Sequence, residues 1–77
     1  MTRPLSPREL QVLHRIANGD TQAAAGNALG ISVFTVKSHL QRITKVLGAS
    51  NAAHAVAIAI RSGDLPRNTA THRTARP

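Results

Sequence analysis

The sequence predicts an all-α fold of four helices. Apolar residues recur at spacings of three and four along most of the 77-residue chain, which is the period of an amphipathic helix. Each such segment follows a Ser, Thr or Asn suited to the N-cap position and ends at a glycine. Because Phe34 is the only aromatic residue, we expect a core of Leu, Ile, Val and Ala side chains.

The first helix is predicted to begin in the segment LSPRE, residues 5–9. The Ser6 hydroxyl can accept a hydrogen bond from the Glu9 amide while the Glu9 carboxylate accepts one from the Ser6 amide, which forms a capping box. Pro7 then occupies the first helical position, where its missing N–H costs nothing. Gly19 ends the helix, and its predicted inward face comprises Leu10, Leu13, Ile16 and Ala17.

Two further helices are predicted on either side of a tight turn. Thr21 is suited to cap a short helix of about residues 22–29, and Ser32 a longer one of about residues 33–47. Gly30 between them supplies the positive φ of a helix-ending turn. The longer helix should bury its apolar face, which comprises Val36, Leu40, Ile43 and Leu47.

The opposite face of this longer helix is basic and rich in hydrogen-bonding groups. At about 100° per residue it carries Lys37, Ser38, Gln41, Arg42 and Lys45. Such side chains can reach phosphates and base edges from a helix that lies in the DNA major groove, and two helices joined by a short turn are typical of a helix-turn-helix motif. Taken alone, the helix also fits a solvated amphipathic helix without a binding role.

A fourth helix is predicted over about residues 52–62, capped by Ser50 or Asn51 and ended by Gly63. The domain should therefore occupy residues 1–65. Residues 66–77 contain three Arg and no large apolar side chain, so we expect a disordered basic tail. This tail either holds DNA phosphates without sequence preference or only adds solubility.

Composition excludes several classes of function. The formal net charge is +7, and residues 1–65 hold seven Lys and Arg against three acidic residues, a net charge of +4. The sequence shows neither the carboxylate pair of a hydrolase nor the His spacing of a metal site, so we expect no catalysis, no metal and no cofactor. The lack of cysteine suits a reducing compartment, and no apolar run is long enough for a membrane span. We expect a soluble, cytoplasmic protein.

A set of matches at fixed spacing runs through most of the predicted domain. They are Leu5-Ser6-Pro7-Arg8-Glu9, Leu13, Ala17-Asn18-Gly19, Leu29-Gly30-Ile31-Ser32, Thr35-Val36-Lys37, His39, Ile43, Leu47-Gly48 and Asn51. In this order, over about residues 5–65, the chain closely resembles the LuxR-type (NarL/FixJ-type) helix-turn-helix of bacterial transcription regulators. It departs from that pattern at Ala24, Ala25 and Gly26, usually an acidic residue, a bulky aliphatic residue and an alanine, and at Val46, usually a lysine.

The resemblance implies a DNA-binding domain whose third helix lies in the major groove and whose fourth helix frequently mediates dimerisation. Together with the helical wheel it predicts two groups of DNA contacts. Bases are expected to be contacted by Lys37, Ser38 and Gln41, and the DNA backbone by Thr35, His39, Arg42 and Lys45. For His39, a structural role as a partly buried side chain is the alternative.

The fourth helix is predicted to have two surfaces. Its densest apolar sector, Ala52, Ala55, Val56 and Ala59, should pack on the first and third helices. Ile58 lies outside that sector, and we expect it to be exposed. The resemblance supports a dimer face at this place, comprising His54, Ala57, Ile58 and Arg61. A lone surface isoleucine without consequence is the alternative.

Phe34 has two predicted places. On the helical wheel it projects near Ser38 and Gln41, where a thymine methyl group or a sugar could receive it. Alternatively, it folds back and fills the space left by the small side chains of the second helix, Ala23 to Gly26. The sequence leaves both places open.

The sequence thus predicts a regulator that binds specific sites on double-stranded DNA as a weak homodimer. Four residues precede Leu5, so we expect a stand-alone domain whose control comes from elsewhere. Three alternatives remain: a sigma-like factor or activator that acts through RNA polymerase, a module that titrates a larger regulator through its fourth helix, and a fragment of a longer protein.

Overall fold

A computed structural model describes residues 5–66, which form four helices and, within that range, no strand. The helices are α1 (Pro7–Ala17), α2 (Gln22–Leu29), α3 (Val33–Leu47) and α4 (Ala52–Ser62). The predicted all-α fold of four helices is therefore confirmed. The predicted disordered tail, residues 66–77, lies outside the described residues except for Pro66.

Side-chain caps fix where the later helices begin. Thr21 Oγ1 and Ser32 Oγ each accept a hydrogen bond from the backbone N–H three residues further on, at 3.0 and 3.1 Å. Of the two candidates before α4, Asn51 is the cap, and its Oδ1 accepts from the His54 N–H at 2.9 Å. The Ser50 N–H instead donates to His54 Nδ1 at 3.0 Å. Each cap satisfies a backbone donor that the helix leaves unpaired, which is worth about 1 kcal/mol.

Two glycines allow α2 and α3 to approach closely. Gly30 is the C-cap of α2 and has a φ of 72°, in the left-handed region that favours glycine. Gly26 is buried inside α2, and a Cβ at this position would lie 2.7 Å from the Ile31 carbonyl oxygen. The Ile31 N–H also donates to the Gly26 carbonyl at 2.9 Å. The turn before α3 therefore lies directly against α2.

The core lies where the four helices meet. Its largest fully buried side chains are Val12, Leu13, Val36 and Ile43. Leu5 and Leu65, from just outside α1 and α4, are also buried, so both ends of the described chain are anchored in the core. The other buried apolar residues are Ala25, Leu40, Ala55, Val56 and Ala59.

The inward faces of α3 and α4 agree with the prediction, except at their ends. Leu47 and Ala52 were expected in the core, but they are only partly buried and pack at its edge. Both residues lie beside the α3–α4 turn, at the last position of α3 and the first of α4. The faces that hold α3 and α4 in place are therefore shorter than predicted.

The inward face of α1 differs from the prediction. Glu9, Val12 and Leu13 are its buried residues, whereas the predicted Leu10, Ile16 and Ala17 are only partly buried and pack at the edge of the core. The buried face is rotated toward Glu9, because the carboxylate of that residue points inward and has partners there. The prediction was therefore wrong to omit Val12.

Among the described residues, no single helix is long and apolar enough to cross a membrane. Only α3 and α4 counted together reach the necessary length and hydropathy, and the two helices meet at an angle of 56°. In this fold, both helices bury their apolar faces against the rest of the domain.

Ile43→Ala should lower the free energy of unfolding by about 2–5 kcal/mol, because it removes apolar groups from a fully buried position. Val46→Ala is the matched control on the same helix. Val46 is 39% exposed, so truncation of its side chain should change the free energy of unfolding by less than about 0.5 kcal/mol. Urea unfolding followed by circular dichroism measures both, and equal losses would contradict this placement of the core.

Candidate nucleic-acid interface

One face of α3 is exposed along the helix and carries the residues that we predicted to contact DNA. Lys37, Ser38 and Gln41, the predicted base contacts, are all exposed. Of the predicted backbone contacts, three are exposed and His39 is partly buried; the exposed ones are Thr35, Arg42 and Lys45. The burial of Val36, Leu40 and Ile43 on the other side holds this face outward.

This face is positively charged. The sequence of α3 contains two Lys and one Arg and no acidic residue. A surface of this charge attracts the phosphates of a nucleic acid and releases their counterions on binding. The hydrogen-bonding side chains between the charges supply the donors and acceptors that base edges require.

The first turn of α3 is organised before any ligand binds. Ser32 Oγ accepts from the Thr35 N–H and lies 3.1 Å from Thr35 Oγ1, so the two hydroxyl groups share a hydrogen bond. Both side chains remain exposed. The start of the helix therefore presents two ordered hydroxyl groups beside the basic face.

Arg42 makes a contact that sequence reasoning missed. Its Nη1 forms an ion pair with Oε2 of Glu9, across 33 positions of the chain. Oε1 of the same carboxylate accepts from the Ser6 N–H at 2.9 Å, and the Glu9 N–H donates to Ser6 Oγ at 3.2 Å, which confirms the predicted capping box. Glu9 is only 3% exposed, whereas the Arg42 side chain is 57% exposed. Arg42 is therefore held by the buried carboxylate of Glu9, while much of its side chain remains exposed to solvent.

The surroundings of Glu9 keep its carboxylate ionised. Burial by itself raises the pKa of Glu9, but hydrogen bonds from the Ser6 backbone and from Arg42, with the positive charge of Arg42, outweigh it. The net result is a pKa below the ordinary value for a glutamate. Glu9 thus carries a full negative charge at neutral pH, and the start of α1 is bound to the middle of α3.

A shallow groove borders the basic face. It has a volume of about 320 Å³ and lies between α3, the start of α4 and the first residue of α2. Its lining includes Lys37 and Gln41, together with Ser50 and Asn51 from the turn before α4. The surface around the predicted base contacts is therefore concave on one side and formed by three helices.

Phe34 projects into solvent from the first turn of α3. The residue is 75% exposed, the largest value among the exposed large apolar residues of the described chain. It does not fold back to fill space beside α2, because a residue buried there would not be so exposed, and Phe34 is not among the residues packed against the core. That alternative is wrong, and Phe34 stands on the exposed side of α3.

The predicted dimer face of α4 is only partly as expected. His54 and Arg61 are exposed, whereas Ala57 and Ile58 are partly buried, so the expectation of an exposed Ile58 is wrong. An apolar groove of about 420 Å³, which the sequence did not reveal, lies beside this face. Ala57 lines it, with Ile16, Ala17, Ala53, Val56 and Ile60. The small side chains of α4 leave this space between α4 and the end of α1.

The other two acidic residues of the described chain, Asp20 and Asp64, make local structural contacts. Asp20 Oδ2 binds Arg15 Nε at 2.7 Å, and Asp64 Oδ2 accepts from Ser62 Oγ at 3.1 Å. Residues 5–66 bring no three His, Asp or Glu side chains together in a way that could hold a metal ion.

A short helix, a tight turn and a longer helix with an exposed basic face, supported by two further helices, define a helix-turn-helix DNA-binding domain. Comparison with known families agrees. The sequence pattern described as "Bacterial regulatory proteins, luxR family" matches residues 3–59. The chain belongs to this family, and residues 3–59 form its DNA-binding domain.

Similar proteins come from several bacteria. The chain is 45% identical over 65 residues to the HTH-type transcriptional activator RamA of Corynebacterium glutamicum, a match that covers 84% of this chain and 23% of RamA. It is 47% identical over 57 residues to the probable transcriptional regulatory protein NarL of Mycobacterium tuberculosis, covering 74% of this chain and 26% of NarL. The transcriptional activator protein CarR of Pectobacterium carotovorum is 39% identical over 56 residues, 73% of this chain and 23% of CarR. The chain thus spans about a quarter of the length of these curated relatives.

Glu9→Gln should lower the free energy of unfolding at neutral pH by about 1–3 kcal/mol, because the variant can still accept from Ser6 but loses the charge that Arg42 binds. Asp20→Asn is the control. It removes a pair in which the Arg15 side chain is 45% exposed, and it should cost less than about 1 kcal/mol.

The same variant should also change how stability depends on pH. A carboxyl group whose pKa is lowered by folding stabilises the fold above its unfolded pKa and loses that contribution as the pH falls through the lower folded value. The free energy of unfolding of the unmodified chain should therefore decrease as the pH is lowered below 4.5, the ordinary pKa of a glutamate. For Glu9→Gln the decrease should be smaller. Urea unfolding at a series of pH values measures this, and parallel curves would contradict the assigned role of Glu9.

Proposed function

We propose that this chain recognises specific sequences of double-stranded DNA by placing α3 in the major groove. The exposed face of α3 carries this proposal, because it combines two Lys, one Arg and several hydrogen-bonding side chains with no acidic residue. An α-helix fits the width of the major groove, and positive charge on its outer face is attracted to both DNA backbones.

Base recognition is assigned to Lys37, Ser38 and Gln41. Gln41 can form two hydrogen bonds with adenine, Lys37 can donate to the acceptors of guanine, and Ser38 can bind either. All three side chains are exposed, and two of them border the groove beside α4. Each well-formed base contact discriminates by about 1–3 kcal/mol.

Backbone binding is assigned to Thr35, His39, Arg42 and Lys45. The Thr35 hydroxyl stands at the start of α3, where the helix dipole also favours a phosphate. Arg42 uses Nη1 for Glu9, and the exposed remainder of its guanidinium is directed to a phosphate in this proposal. Lys45 is an exposed charge near the end of the same face.

This assignment predicts different effects for a substitution at a base contact and for one at a backbone contact. Gln41→Ala should reduce affinity by about 1–3 kcal/mol for a duplex selected from a random pool and leave binding to unselected DNA unchanged. Lys45→Ala should weaken binding to both DNAs alike and reduce the slope of log affinity against log salt concentration by about one. Electrophoretic titrations at several salt concentrations measure both effects. A Gln41→Ala variant that binds selected and unselected DNA with equally reduced affinity would contradict the base contact.

The proposal includes a weak homodimer formed through α4. Its face comprises His54, Ala57, Ile58 and Arg61, and it is supported by the incomplete burial of Ile58 and by the apolar groove that Ala57 lines. Such an interface is small, so association should be weak in solution and stronger on DNA with two half-sites about one helical turn apart. Two-fold symmetry would then place one α3 in each half-site.

Ile58→Glu should abolish cooperative binding to a duplex with two half-sites, because the new carboxylate would be buried in an apolar contact. Affinity for a single half-site and the helical signal in circular dichroism should remain. Gln11→Glu makes the same change in charge on the exposed surface of α1 and should leave cooperativity intact. Undiminished cooperativity in Ile58→Glu would remove this residue from the interface.

The remaining features of the proposal follow from DNA binding. The domain acts without catalysis and without a cofactor, in the bacterial cytoplasm, where the lack of cysteine suits the reducing conditions. The alternatives are titration of a larger regulator through α4 and action through RNA polymerase. Copurification of the unmodified chain with RNA polymerase would support action through the polymerase. The Ile58→Glu chain shows whether α4 makes that contact.

A further inference from the structure

We infer that Phe34 is a further specificity-determining residue, and that its ring packs on the C5-methyl group of a thymine. This inference rests on the proposed function, in which α3 enters the major groove. It adds an apolar contact to the three assigned base contacts, because Lys37, Ser38 and Gln41 recognise bases through hydrogen bonds.

The exposure of Phe34 is the first observation behind this inference. Phe34 is 75% exposed, against 39% and 36% for Val46 and Val33, the other exposed large apolar residues of the described chain. It makes no contribution to the core, so folding does not account for it. An aromatic ring left in water is available to bury its apolar area against a ligand.

The place of Phe34 on α3 is the second observation. At about 100° per residue, Phe34, Ser38 and Gln41 lie within about 60° of one another on the helix surface. Phe34 is also the second residue of α3, and the N-terminal residues of a recognition helix are those that contact base edges in helix-turn-helix proteins. The ring therefore stands in the row of side chains that should face the bases.

The chemistry of the major groove selects the base. Guanine, adenine and cytosine present hydrogen-bond donors and acceptors there, whereas thymine adds an apolar methyl group. A phenyl ring placed over a donor or acceptor would cover it without replacing its hydrogen bond with water, which is unfavourable. Contact with a methyl group removes apolar area from water on both sides.

The test is a thermodynamic cycle in which the phenyl ring of Phe34 and the thymine methyl group are removed separately and together. A duplex is selected from a random pool with the unmodified chain, and each thymine in it is then replaced in turn by deoxyuridine, which lacks only that methyl group. Affinity is measured for the unmodified chain, for Phe34→Ala and for Val46→Ala, an apolar truncation elsewhere on α3. Circular dichroism confirms that each variant is folded.

At one thymine in each half-site, loss of the methyl group should lower the affinity of the unmodified chain and of Val46→Ala about fourfold. Phe34→Ala should bind the thymine duplex at least about fourfold more weakly than the unmodified chain and show no further loss with deoxyuridine. 5-Methylcytosine paired with guanine at that position should bind the unmodified chain more tightly than cytosine does, because it restores the methyl group.

Other results would overturn the inference. If deoxyuridine weakens the unmodified chain and Phe34→Ala equally at every position, another residue contacts the methyl group, while sequence-specific binding stands. If Phe34→Ala binds all duplexes normally but self-associates less in analytical ultracentrifugation, the ring serves a protein contact instead. Failure to enrich any sequence from the pool would overturn the proposed function itself, and the inference with it.

Discussion

The carboxylate of Glu9 holds together the parts of this domain that must not move relative to one another. One of its oxygens closes the capping box at the start of α1, and the other binds Arg42 in the middle of α3. Removing a buried carboxylate from water is costly unless its lone pairs are satisfied, and here both oxygens have a partner. The same contact that stabilises the fold therefore joins α1 to the exposed face of α3, whose direction is also held by the burial of Val36, Leu40 and Ile43.

Close packing between α2 and α3 supplies the second constraint. The absence of side-chain atoms at Gly26 allows the Ile31 backbone to lie against α2, and Ala25 is fully buried beside it. α2 has no charged residue and contributes little volume to the core, so its stability depends on this approach more than on its own side chains. The departures from the family pattern in α2 thus coincide with a closely fitted turn.

Local patterns predicted most of the fold, because caps and helical periodicity act over three or four residues. The helix bounds, the capping box and the buried face of α3 followed from such patterns. The Glu9–Arg42 pair did not, since its partners are 33 positions apart and the capping box already accounted for Glu9. The rotation of the buried face of α1 toward Glu9, which brings Val12 into the core, was missed for the same reason. The position of Phe34 depended on how α2 and α3 pack together, which periodicity along one helix does not specify.

The candidate interface was predictable as a surface and less so as a set of contacts. Charge and periodicity place Lys37, Gln41 and Lys45 on one face, but the tilt of the helix in the groove sets which of them meets a base. The apolar groove beside α4 arises from the small size of residues such as Ala53 and Ala57, and small residues give no sequence signal of their own. The structure therefore revealed more about the surface of α4 than the sequence had predicted, and less that was new about α3.

The hydrogen bond from the Ser50 N–H to His54 Nδ1 selects one tautomer of the imidazole. Because the Ser50 N–H donates to Nδ1, the ring proton of the neutral side chain must reside on Nε2. The exposed end of the ring is consequently a hydrogen-bond donor and not an acceptor. Any surface that closes over this side of α4 must offer an oxygen or another acceptor at that point, and a neighbouring ammonium or amide N–H would meet it unfavourably.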